Sequence, residues 1–138
     1  MLDEQYNAKL LYLESTQQHR FLDDFIGYIG YEIAKSGRYG MEGDVLTFGV
    51  ILLELLTGLK AFDRERNVGK QILAVWTKSF LPDKIGEIID PRLGNDYPVK
   101  AATQMGKLIK CCIEQDLKKR PLMQDVLDTL NCIAKMKH

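Results

Sequence analysis

Apolar residues crowd most densely between Val45 and Leu56. Val45, Phe48, Val50, Ile51, Leu52, Leu53, Leu55 and Leu56 would fall on nearly every face of one helix, opened by Asp44 and closed by Gly58. A helix that is apolar all round belongs at the centre of a domain. Further along, the hydrophobic period is helical. Ile72, Leu73, Val75, Trp76 and Phe80 predict an amphipathic helix over 69–81, stopped by Pro82. One short helix is expected over 85–89, then a turn-rich loop from Asp90 to Pro98. Met105, Leu108, Ile109, Cys112 and Ile113 share one face of a helix over 101–114. Pro121 sits near N1 of a last helix carrying Met123, Val126, Leu127, Leu130 and Ile133. Upstream the pattern changes. Asp3 to Asn7 supply turn residues and Ala8 to Leu13 read as a return strand, so Met1 to Leu13 predicts a short β-hairpin. Residues 14–24 read as loop, and the glycines at 27, 30, 37 and 40 argue for irregular backbone. The fold class is therefore mainly α: a short N-terminal hairpin followed by about five helices around a central apolar one.

Composition narrows the function classes. The 138 residues make one domain, with 46% hydrophobic and 28% charged side chains. Lys+Arg and Asp+Glu both total 19, so no basic excess invites nucleic acid or an anionic membrane. The basic clusters at Lys118-Lys119-Arg120 and Lys135/Lys137 read as solvated helix ends. Cys111, Cys112 and Cys132 form no C-x-x-C pattern and read as small apolar residues in a reducing cytosol. No signal peptide is expected in the polar first eighteen residues, and the longest apolar run is too short to span a bilayer.

Four stretches then bring a family into view. Leu2-Asp-Glu-Gln-Tyr-Asn-Ala-Lys-Leu10 is similar to the segment after the catalytic loop of plant receptor-like kinases. Gly27-Tyr-Ile-Gly-Tyr-Glu-Ile-Ala-Lys-Ser-Gly37 resembles the G-Y-x-A-P-E-Y-x-x-x-G that closes their activation segment. Asp44-Val-Leu-Thr-Phe-Gly-Val-Ile-Leu-Leu-Glu-Leu-Leu-Thr-Gly58 resembles D-V-Y-S-F-G-V-x-L-L-E-L-L-T-G almost residue for residue. Ile89-Asp-Pro-Arg-Leu93 and Cys111 to Pro121 resemble I-x-D-P-x-L and a cysteine followed eight residues later by R-P. The chain thus resembles the C-terminal part of the large lobe of receptor-like and receptor-like cytoplasmic serine/threonine kinases. The likeness covers residues 1–138, with an activation-segment-like region over about 12–37. It implies that the helix after Asp44 is the central large-lobe helix. It also implies that Glu32 and Arg120 form the ion pair anchoring the activation segment, a match of carboxylate and guanidinium fork. Asp44 would occupy the position that holds the catalytic loop in the family.

The same likeness exposes missing chemistry. Phosphoryl transfer needs a glycine-rich loop, a phosphate-binding lysine, an aspartate base and metal-holding Asn and Asp. The resemblance places this chain just past the catalytic loop. Where the family reads A-K-L-x-D-F-G, this chain reads Ala8-Lys9-Leu10-Leu11-Tyr12-Leu13-Glu14. Tyr12 occupies the place of the metal-binding aspartate, and a phenol is no substitute for a carboxylate at magnesium. Tyr31 replaces the proline of A-P-E, and Phe25 stands where a substrate-pocket threonine is expected. Ser15 and Thr16 are candidate phosphorylation sites. Without the helix that precedes the family's catalytic loop, one apolar stripe of the central helix would be thinly covered.

The expected function is a kinase-like lobe that is catalytically inactive by itself and serves as a scaffold in signalling. No catalytic, cofactor-binding or metal residue is assigned. ATP and magnesium belong to the intact family, and neither is expected on this chain. The expected partners are proteins, another kinase or an immune or receptor signalling protein. The expected location is the cytoplasm, at the plasma membrane if a parent chain is a receptor-like kinase. The alternatives are a piece of an active ATP-dependent kinase whose catalytic residues lie in a longer chain, and a degenerate gene fragment without function.

Overall fold

The computed structural model describes Gly27 and residues 41–137. Among the described residues the architecture is carried by α1 (Met41–Thr57), α2 (Leu73–Thr77), α3 (Val99–Cys112) and α4 (Met123–Ala134). Short 3-10 turns at Lys78–Phe80, Ile85–Glu87, Pro91–Leu93 and Leu117–Lys119 connect them. Among the described residues no strand forms, and one isolated antiparallel bridge joins Phe62 to Ile72. The expected N-terminal hairpin lies outside the described residues.

The central helix is the organising element. Val50 and Leu53 on one flank of α1 enter a core with Leu73, Leu81, Ile85, Ile88, Ile89, Ile109 and Ile113. Val45 on the other flank joins Leu108, Cys112, Val126 and Ile133. Both clusters draw on α3, so α1 and α3 form the shared wall. The 72–89 segment packs on one side of that wall and α4 on the other. The two helices approach closely because Gly49 has no side chain. A Cβ built there would lie 2.5 Å from Cys112 Cβ and 3.3 Å from Ile113 Cγ2. Gly106 does the same on the next face of α3, against Ile85 and the backbone of Pro82.

Several boundaries differ from expectation. α1 begins at Met41, which places Asp44 inside its first turn. It is not buried on all faces, since Leu55 is 62% exposed. The helix expected over 69–81 shrinks to Leu73–Thr77 plus one 3-10 turn. Gly69 has φ +91°, a left-handed conformation that no helix continues through. The backbone of 71–73 is instead bonded to the 61–63 segment, Leu73 N–H to Ala61 O at 2.9 Å and Asp63 N–H to Gln71 O at 3.0 Å. Pro121 is not at N1. Leu122 is the extended N-cap of α4, and Asp125 Oδ2 accepts its N–H at 3.4 Å. Nor are the cysteines uniformly core residues: Cys112 is buried, whereas Cys111 and Cys132 are exposed.

Candidate functional site

The end of α1 shows how the framework is closed. A helix leaves its last four carbonyls without intrahelical donors. Here Gly58, at φ +71°, turns the chain into the left-handed region and its N–H reaches Glu54 O at 2.8 Å. The buried Thr57 hydroxyl donates to Leu53 O at 2.8 Å and accepts from Leu59 N–H at 3.2 Å. The Leu56 carbonyl is met from far along the chain, by Asp90 N–H at 2.9 Å.

Asp90 therefore does two jobs. Its backbone caps the central helix, while its side chain organises the Pro91–Leu93 turn. The carboxylate accepts from Arg92 N–H and from Arg92 Nε at 3.0 Å, and from Arg92 NH2 at 2.6 Å. The hydrogen bond from the Arg92 side chain, first, and that from its backbone hold the Asp90 carboxyl below its ordinary range. Arg92 is raised in turn by the same bond. Both side chains lie against Gly58, where a Cβ would collide with the Asp90 carboxylate. Positive φ and lack of space both favour glycine at this position.

A second anchor lies beneath α3. Arg120 is only 8% exposed and its Nε donates to Glu114 O at 2.6 Å. The Leu117–Lys119 turn that delivers it is capped by Asp116, whose side chain accepts from Lys118 N–H at 3.0 Å. The Arg120 charge is close enough to favour the Cys112 thiolate, yet burial prevails and pushes that thiol up to about 12. Cys112 is thus a packing residue and not a nucleophile.

Gly27 is the described residue of the activation-segment-like region. It is buried against the loop that follows α1, and a Cβ on it would lie 2.6 Å from Ala61 Cβ. That loop is closed by Arg66. Its NH2 donates to Lys60 O and to Gln71 O, both at 2.8 Å, while Nε and NH1 are buried with no hydrogen-bond partner. Ala61 N–H is received by Glu54 Oε2 at 3.2 Å, tying the loop back to the helix.

Of the residues singled out in the sequence, Arg120 is buried and Asp44 is exposed. Tyr12, Ser15, Thr16, Glu32, Phe25 and Tyr31 lie outside the described residues. Among the described residues no group of three His, Cys, Asp or Glu side chains comes together to hold a metal. None of their helices is long and apolar enough to cross a membrane. The Arg66 closure escaped the sequence because a side chain bonding distant carbonyls leaves no periodic trace. The Asp90 cap had a local signal, an aspartate directly before a proline, the signature of a turn start.

A family model described as protein tyrosine and serine/threonine kinase matches residues 8–130. Over 146 residues the chain is 59% identical to the inactive serine/threonine-protein kinase BKN2 of Arabidopsis thaliana, covering 99% of this chain and 44% of that protein. It is 53% identical over 145 residues to the inactive serine/threonine-protein kinase BKN1 of the same plant, covering 99% and 43%. The Arabidopsis thaliana serine/threonine-protein kinase SZE1 is 40% identical over 151 residues, covering 99% and 44%. The chain spans less than half the length of these relatives.

Proposed function

This chain belongs to the protein tyrosine and serine/threonine kinase family, and on that premise we propose that it is a helical scaffold of the kinase large lobe that transfers no phosphate itself. The observation that carries the proposal is Tyr12 in the position of the metal-binding aspartate. Magnesium between phosphates wants charged oxygen, and a neutral phenol supplies none at physiological pH. The inactive designation of BKN2 and BKN1 supports the same reading. The anchors support the scaffold half of it. Asp90, Gly58 and Arg120 preserve the framework on which a kinase activation segment is mounted.

The partners of such a scaffold are proteins of a signalling pathway, among them another kinase or a receptor. The free cysteines and the lack of a membrane-crossing helix among the described residues fit a cytoplasmic site of action. A longer parent chain of the receptor-like kind would bring it to the plasma membrane. The second reading, a portion of an active ATP-dependent kinase, is favoured by SZE1, whose name carries no such qualifier.

Calorimetric titration of the chain with ATP and magnesium separates the two. The scaffold reading expects no heat of binding up to millimolar nucleotide, a regime of about −4 kcal/mol or weaker. Micromolar affinity sinks it.

A further inference from the structure

We propose that the outward face of α3 is a docking face for an acidic peptide segment. α3 reads VKAATQMGKLIKCC, with three lysines and no acidic residue. Ala102, Gly106, Leu108, Ile109 and Cys112 fix its buried side. By helical spacing Lys100, Lys107 and Lys110 cluster on the opposite side, with Lys100 and Lys107 exposed and Lys110 half-buried. Among the described residues no side-chain hydrogen bond or ion pair engages any of the three. Three of the described arginines are used differently: Arg66 and Arg120 bond carbonyls and Arg92 bonds a carboxylate.

Part of the arrangement works against the stability of α3, although Lys110 in the last turn is favoured by the helix dipole. Lys100 stands in the first turn, where the helix dipole is positive, and no acidic residue or side-chain cap offsets it. Lys107 and Lys110 are neighbours at i, i+3, a like-charge pair. A cationic ridge held without internal partners is complementary to an external anion.

Its dimensions point to a short peptide. Lys100 to Lys110 spans about 15 Å at the helical rise. An extended acidic segment of about four or five residues covers that length. A nucleic acid or an anionic membrane is disfavoured, because the whole chain has as many acids as bases and would be repelled beyond the ridge. The surface would supply the scaffold proposed above with a partner of defined chemistry. It rests on that reading for its use alone. Nucleotide binding would defeat the scaffold and leave the ridge, whereas failure of the peptide would defeat the ridge and leave the scaffold.

The test is fluorescence anisotropy of a fluorescein-labelled decaglutamate peptide titrated with the full chain at low and high salt. Saturable binding that weakens with salt is expected. Lys100→Glu/Lys107→Glu/Lys110→Glu should weaken it about tenfold or more, as three solvated ion pairs would. The equally charged control Lys84→Glu/Lys135→Glu/Lys137→Glu should bind nearly as the parent does. Should the glutamate variant misfold by circular dichroism, the corresponding triple glutamine variant replaces it, with a several-fold loss expected. Absence of peptide binding, or equal loss in the control, overturns the proposal. So does displacement of the peptide by phosphatidylserine vesicles or single-stranded RNA through the same three lysines.

Discussion

Gly49 and Cys112 bring the two principal helices into backbone-range contact, with 2.5 Å between the Cys112 Cβ and the place where a Gly49 Cβ would stand. Neither partner can yield cheaply, since both are buried and Cys112 lies mid-core. Gly49→Ala gains helix propensity yet overpacks this crossing, a change that costs about 1–3 kcal/mol. A lower urea midpoint, corresponding to an unfolding free energy reduced by that amount, is expected. An unchanged or raised midpoint would mean that α1 and α3 do not cross at this pair.

Arg120 offers a test of the pair implied by the family likeness. Loss of its buried hydrogen bond to Glu114 O costs about 1.5–3 kcal/mol. Stranding an opposed buried carboxylate raises the loss to about 3–5 kcal/mol. A double-mutant cycle of Arg120→Ala with Glu32→Ala is expected to be strongly non-additive, the second substitution adding little to the first. Full additivity would separate the two residues.

The Asp90–Arg92 pair makes stability depend on acid. The folded carboxyl titrates below its ordinary 3.8 because of Arg92. A depressed folded value stabilises above the unfolded pKa and is lost as pH falls through the folded one. The difference in stability between the parent chain and Asp90→Asn should therefore be constant from neutral pH down to about 4. Below that it should shrink toward zero. Denaturant titrations across this range check it, and a difference that grows on acidification contradicts the assignment.

The cysteines should divide by accessibility. Cys111 and Cys132 are exposed, and Cys112 is buried with its thiol pushed up to about 12. With a chromogenic disulfide reagent at pH 8, two thiols should react at once and the third only in denaturant. Rapid reaction of all three would show that the α3–α4 contact is open.

How far the sequence carried these conclusions varies by element. The central helix was legible because apolar density and a terminal glycine act locally. Its start was not, since Met41 to Gly43 have no capping side chain to mark it. The helix before Pro82 was overextended because apolar spacing from Ile72 to Phe80 says nothing about a bridge back to Phe62. Pro121 stands two positions outside the N1 site its sequence suggests, because Leu122 adopts the extended cap itself. At the candidate site, the D-P-R-L motif is visible in the sequence, but its grip on Leu56 is not, as the carbonyl and its donor stand 34 positions apart. Arg120 was recognised through family likeness, and its bond to Glu114 required coordinates.

The Arg66 plug bears on how the loop after α1 meets trypsin. That enzyme must draw a basic side chain and its flanking backbone out into an extended cleft. Lys60, Arg64 and Lys70 are exposed along the loop, whereas Arg66 is threaded inward onto the carbonyls of Lys60 and Gln71. Limited digestion should cut after the exposed Lys60, Arg64 and Lys70 before it cuts after Arg66, so the Arg66–Asn67 bond survives as long as the ring around it stays shut.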